Sequence, residues 1–177
     1  MRVSFFKNPA VRFVFFCFVL YIIWYLVYEL WLHPIRFLDK PVVQSIVFLS
    51  EKILTFFGYE LVDFTRIDSN ISAIGIDASH GVQIGDPCNG ISIFALFSGF
   101  IIAFPGPWLR KLIYVPLGVG IIYIANLLRI VILCLIAYYA PESLEFNHNY
   151  TFTVIVYSIV IFLWYLWIKR FSKFERK

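Results

Sequence analysis

The sequence is poor in the residues that most enzymes rely on. It has three cysteines, three histidines and one methionine in 177 residues, and only 15% of its residues are charged. It contains no CxxC, no HExxH, no phosphate-binding GxxxxGK[ST] loop and no GxGxxG. These absences argue against zinc-protease, nucleotide-hydrolase and dinucleotide-dependent chemistry. Two of the cysteines, Cys17 and Cys134, lie inside apolar runs, which argues against a disulfide framework. No basic stripe interleaved with aromatics is present, so nucleic acid is not an expected partner despite a net charge of +4. There is no internal repeat and no low-complexity segment.

What the chain has instead is apolar length. It is 61% hydrophobic and 20% aromatic, with a mean hydropathy of +0.82. A soluble domain is roughly half apolar, and a chain this short cannot enclose so much apolar surface in water. Lipid is the expected solvent. The fold class that follows is an all-α membrane protein, a polytopic bundle of about four transmembrane helices with one interfacial amphipathic helix and a small extracytoplasmic β-meander.

Taken in order, residues 13–32 form a first span. A bilayer core of about 30 Å needs about 20 apolar residues as helix, and bulky Trp24 and Trp31 stand where a cleaved signal would carry small residues. Residues 42–57 show a helical period with Gln44, Ser45, Glu51 and Lys52 on a wet side, as expected of a helix lying at the membrane surface. Residues 59–86 are the only sizeable polar stretch, with β-prone pieces separated by turn residues. Further spans are expected at 89–104, 112–140 and 151–168, before a basic tail at 169–177. With both termini in the cytoplasm, the clusters at Arg2, Lys7, Arg12, Arg110, Lys111 and the tail all face inward. The loop carrying Cys88 then faces outward.

Three residues stand out against this apolar background. Cys88 is the one cysteine outside an apolar run. Asp86 can cap the following helix and Pro87 suits its first position, which would put Cys88 in the first turn, where a thiolate is favoured. Arg129 interrupts a long apolar run about 25 Å along its helix from Leu112, and Asn126 is one turn earlier, able to hold the guanidinium. An intramembrane arginine usually marks function; here, snorkelling to headgroups or pairing with Glu142 is the ordinary alternative. His148 precedes the last span. His33 and His80 share its side of the membrane, with no partners at metal-ligand spacing, so no metal and no cofactor is expected. Cys88, Arg129 and His148 fall at one depth on three consecutive spans. They supply the parts of a thiol acyl-transfer site: a nucleophile, a proton carrier and a positive charge for an oxyanion.

In Cys88-Asn89-Gly90-Ile91-Ser92, Asn126-Leu127-Leu128-Arg129-Ile130 and Phe146-Asn147-His148, the sequence resembles the exosortase/archaeosortase family of membrane-embedded cysteine transpeptidases, in a small Bacteroidetes-type form with about half the spans of the larger members. The resemblance implies Cys88 as nucleophile, with Arg129 and His148 completing the catalytic set and Asn126 and Asn89 supporting it. It also implies a protein-sorting enzyme of the bacterial inner membrane. Its partners would be the bilayer and secreted proteins with a C-terminal signal made of a short motif, a membrane helix and a basic end. Two rival readings use the same residues. In a non-enzymatic subunit or assembly factor of a secretion or polysaccharide-export system, Arg129 would pair with a partner's acid and Cys88 would be incidental. In a small transporter, Arg129 would be an anion site.

Overall fold

The computed structural model describes residues 9–62, 73–77, 79, 81–84 and 88–171. The chain is an all-α membrane protein. Helix α1, Pro9–Val27, continues through a wider π-turn at Tyr28–Leu32. Helix α2 covers Asp39–Phe56, α3 Ile91–Ala103 and α4 Trp108–Tyr139. Short helical turns from Pro141 lead through α5, Leu144–Phe146, and a π-turn at Asn147–Thr151 into α6, Phe152–Phe171. Among the described residues, three stretches are long and apolar enough to cross a membrane: Ala10–Leu32, Trp108–Tyr139 and Pro141–Arg170. Helix α3 is a shorter apolar helix of 13 residues, about 20 Å long.

In lipid, an apolar run must satisfy its own backbone hydrogen bonds, which is why these segments are helical. Side chains such as Phe18, Tyr21 and Leu30 on α1, or Leu112 and Ile113 on α4, are exposed. That is unfavourable in water and costless against acyl chains. Between the helices the packing is aromatic. Phe13 of α1 meets Phe100 of α3 edge-on at 5.3 Å, and Phe100 stacks on Trp164 of α6 at 4.3 Å. Helices α3 and α4 approach closely at Gly118, where a Cβ would come within 2.2 Å of the Phe97 ring.

The buried side chains form two groups. One, with Phe97, Ile101, Ile122, Val156, Leu163 and Trp167, joins α3, α4 and α6. The other, with Val43, Ile46, Leu54, Ile74, Leu133 and Cys134, joins α2 and the strands to the last turns of α4. At 32 residues, α4 is about 48 Å long, longer than a bilayer core. It serves the bundle with its first two-thirds and a cap with its remainder. On α2, Val43, Ile46, Ser50 and Leu54 are buried, on the side away from Gln44, Glu51 and Lys52, whereas Phe57 is exposed. Among the described residues, the β-region contains two antiparallel strands, β1 (Ala73–Ile74) and β2 (Val82–Gln83), with Ala73 opposite Gln83, and a bridge between Leu61 and Ile76. Glu60 and Val62 are tied to this pair by the backbone bonds Asp77 N–H to Glu60 O and Val62 N–H to Gly75 O, and of the expected meander residues 63–72, 78, 85–86 and His80 lie outside the described residues. The connection between the expected spans 112–140 and 151–168 is helical throughout, and Pro141 starts its first turn with no need of an N–H.

Candidate active site

The junction between bundle and cap gathers the residues singled out from the sequence. Cys88 and His148, 60 residues apart, are in contact, with Sγ 3.3 Å from Nε2. The other ring nitrogen, Nδ1, is 3.1 Å from Asn149 Oδ1. Arg129 meets this histidine through its backbone: its Nη2 donates to the His148 carbonyl at 3.1 Å. Its Nε is buried without a hydrogen-bond partner. All three of Cys88, Arg129 and His148 are partly buried.

Two expectations change. Cys88 is not in the first turn of α3. The helix starts at Ile91, behind Gly90 at φ 81°, a left-handed conformation that ends helical propagation and favours glycine. The capping bond is made by Asn89, whose Oδ1 accepts the Ile91 N–H at 2.8 Å. Cys88 sits just outside the helix's positive end. Asp86 and Pro87, the expected cap and first helical residue, lie outside the described residues. The second change is at Asn126. It is 1% exposed, and it does not hold Arg129. Its Nδ2 donates to the Cys88 carbonyl at 2.8 Å, while its Oδ1 is buried without a partner. The amide therefore fixes the backbone of the cysteine.

Beside this lies a group the sequence did not reveal. Asp39, at the start of α2, is 0% exposed. Its Oδ1 accepts from Tyr28 Oη at 2.6 Å and from Asn89 Nδ2, and its Oδ2 lies 3.3 Å from His33 Nδ1. One carboxylate thus ties the end of α1, the start of α2 and the residue after Cys88 together. A buried carboxylate is tolerable only when its lone pairs are used in this way. Asp39→Ala removes the carboxylate to which the buried Tyr28 hydroxyl and the Asn89 amide both donate. The expected loss of stability is about 2–4 kcal/mol, against a smaller loss for Asp39→Asn, which keeps one acceptor oxygen. Denaturant unfolding in detergent measures the difference. Among the described residues, no group of His, Cys, Asp and Glu is placed to hold a metal ion.

What this arrangement can do follows from its parts. A thiol within reach of an imidazole nitrogen can be deprotonated and act as a nucleophile. A guanidinium held on the backbone carbonyl of that histidine supplies positive charge of the kind that stabilises a developing oxyanion. Fold and site together define a helical membrane protein with a thiol–imidazole pair and an arginine at one end of the bundle. The chain belongs to the transmembrane exosortase family, whose sequence model matches residues 2–167. At the level of the family this makes it a membrane sorting transpeptidase of the cysteine type. No curated protein and no solved structure matches it.

Proposed function

We propose that the chain cleaves the C-terminal sorting signal of secreted proteins on the extracytoplasmic side of the bacterial inner membrane, through a thioester on Cys88. The observation that supports this most is the 3.3 Å approach of Cys88 Sγ to His148 Nε2. With Asn149 Oδ1 accepting from Nδ1–H, the Nε2 lone pair faces the thiol and takes its proton. The thiolate then attacks the scissile carbonyl, and Arg129 offers N–H groups to the resulting oxyanion. As the C–N bond breaks, Nε2–H returns the proton to the leaving amine and a thioester remains. An acceptor amine or water gives a proton to His148 and attacks the thioester, and the sulfur leaves. Asn126, Asn89 and Asp39 keep the cysteine turn in place. Asn149 orients the ring across one exposed hydrogen bond. Asn149→Ala is expected to lower turnover about three- to tenfold, and Asn149→Asp, which keeps the acceptor, to retain most of it; single-turnover kinetics decides.

The membrane geometry is in keeping with this reading. Asn126 lies 18 residues beyond Trp108 on α4, about 27 Å along the helix, so one end of the core lies near Trp108 and the other near Cys88. Basic residues at the Trp108 end favour the cytoplasm for that side. The exposed Phe56 and Phe57 at the end of α2 suit a helix resting on the membrane surface. A groove of about 570 Å³ between α1, α3 and α6 is lined by Trp24, Tyr28, Ser92, Gly99 and Trp164. It runs from the neighbourhood of the cysteine turn towards the opposite end. A substrate's apolar helix seated along it would bring its scissile bond to a fixed depth.

The test is made in cells. With Cys88→Ala, secreted proteins ending in an apolar helix and a basic end are expected to accumulate uncleaved in the membrane fraction. Normal processing in that strain would assign the chain instead to a non-enzymatic subunit.

A further inference from the structure

At the end of the bundle remote from Cys88, the first turns of α1, the end of α3 and the start of α4 enclose a cavity of about 500 Å³. Among the described residues, two cations line it, Arg12 and Lys111, and no acidic side chain does. Lys111 is only 5% exposed. Its Nζ donates to the Ile102 carbonyl at 2.6 Å and lies 4.7 Å from the centre of the Trp108 ring. A carbonyl and a ring face orient this ammonium, but neither carries a formal countercharge. Arg12 is exposed beside it. The start of α4 has no side-chain cap, so the positive end of its dipole adds to the same field. The remaining wall is apolar, with Phe13, Phe16, Leu20 and Phe104.

A positive pocket with an apolar wall, at the depth where a membrane helix begins, is complementary to an anion that carries a hydrocarbon tail. We propose that this pocket binds an anionic glycerophospholipid, its phosphate between Arg12 and Lys111 and an acyl chain along Phe13, Phe16 and Leu20. A zwitterionic lipid offers the same phosphate, but its ammonium finds no carboxylate in this wall. Inorganic phosphate makes no use of the apolar side. The site is separate from the acyl-transfer reading and stands without it.

Native mass spectrometry of the full chain in neutral detergent tests the proposal. Phosphatidylglycerol and phosphatidylcholine of the same acyl chains are supplied at equal concentration, with inorganic phosphate in a separate arm. The wild type is expected to retain phosphatidylglycerol about fivefold or more over phosphatidylcholine and to retain no phosphate. Arg12→Gln and Lys111→Gln are each expected to reduce that preference about fivefold. Lys169→Gln, in the last turn of α6 and outside the pocket, is expected to leave it unchanged. Equal retention of the two lipids by the wild type overturns the proposal, as does a preference that survives Arg12→Gln. An equal loss on Lys169→Gln also overturns it, assigning the effect to diffuse surface charge, and retained phosphate alone makes the site an inorganic-anion site. Arg12 is exposed, so its variant decides the matter even if Lys111→Gln fails to fold.

Discussion

Cys88→Ala is expected to reduce processing of a sorting-signal substrate to background, a loss on the order of 10⁴-fold or more. The size of the effect follows from covalent catalysis. Without Sγ there is no thioester, and the remaining groups can only polarise a carbonyl that water attacks slowly. The fold should survive. Among the described residues the side chain makes one hydrogen bond, to His148, so a stability change of about 1 kcal/mol or less is expected. Cys88→Ser is expected to fall nearly as far. A 3.3 Å separation suits sulfur, but the smaller oxygen at the same rotamer stands farther from Nε2 than a good O–H···N bond allows. A serine hydroxyl also ionises less readily than a thiol. Purified variants assayed on a peptide carrying the signal, with melting curves alongside, separate lost chemistry from lost structure.

Arg129→Lys is the second large effect, with turnover expected to fall on the order of 10²–10³-fold and KM changing little. The guanidinium has two directions to serve. Nη2 holds the His148 carbonyl, while Nε is buried and without a partner. Lysine keeps the charge but presents it as a compact point with no fixed fork. It cannot hold the histidine backbone and also aim a second N–H at an oxyanion. A fall in kcat alone identifies an interaction made in the transition state; a rise in KM alone identifies substrate binding. The double variant Cys88→Ala, Arg129→Lys should be no worse than Cys88→Ala, because both act in one chemical step.

Cys88, Arg129 and His148 were legible in the sequence because each breaks an apolar pattern: a cysteine in a polar loop, an arginine in a span, a histidine at a span's edge. Their positions along three consecutive, alternating spans imply one common depth, and so one end of the bundle. The spans themselves were legible because lipid leaves an apolar run little choice but helix. Asp39 was not legible. Its partners Tyr28 and Asn89 are 11 and 50 residues away, and an aspartate at the start of an amphipathic helix reads as a cap. Asp86-Pro87 is a strong start signal that points to a helix beginning at Cys88 and masks the Asn89-Gly90 signal three residues later. Gly90 at φ 81° is what excludes the cysteine from the helix. The role of Asn126 was misassigned for a different reason. One-turn spacing to Arg129 predicts proximity on α4, but it does not say that the Cys88 carbonyl from another segment will take the amide first.

Intact-protein mass spectrometry of the chain, isolated from cells by rapid acid quench, tests the central claim most directly. The account predicts a peptide adduct confined to Cys88, released by hydroxylamine as a thioester should be, and absent from Cys88→Ala. An adduct on another side chain, or processed substrates with Cys88 never acylated, would contradict it.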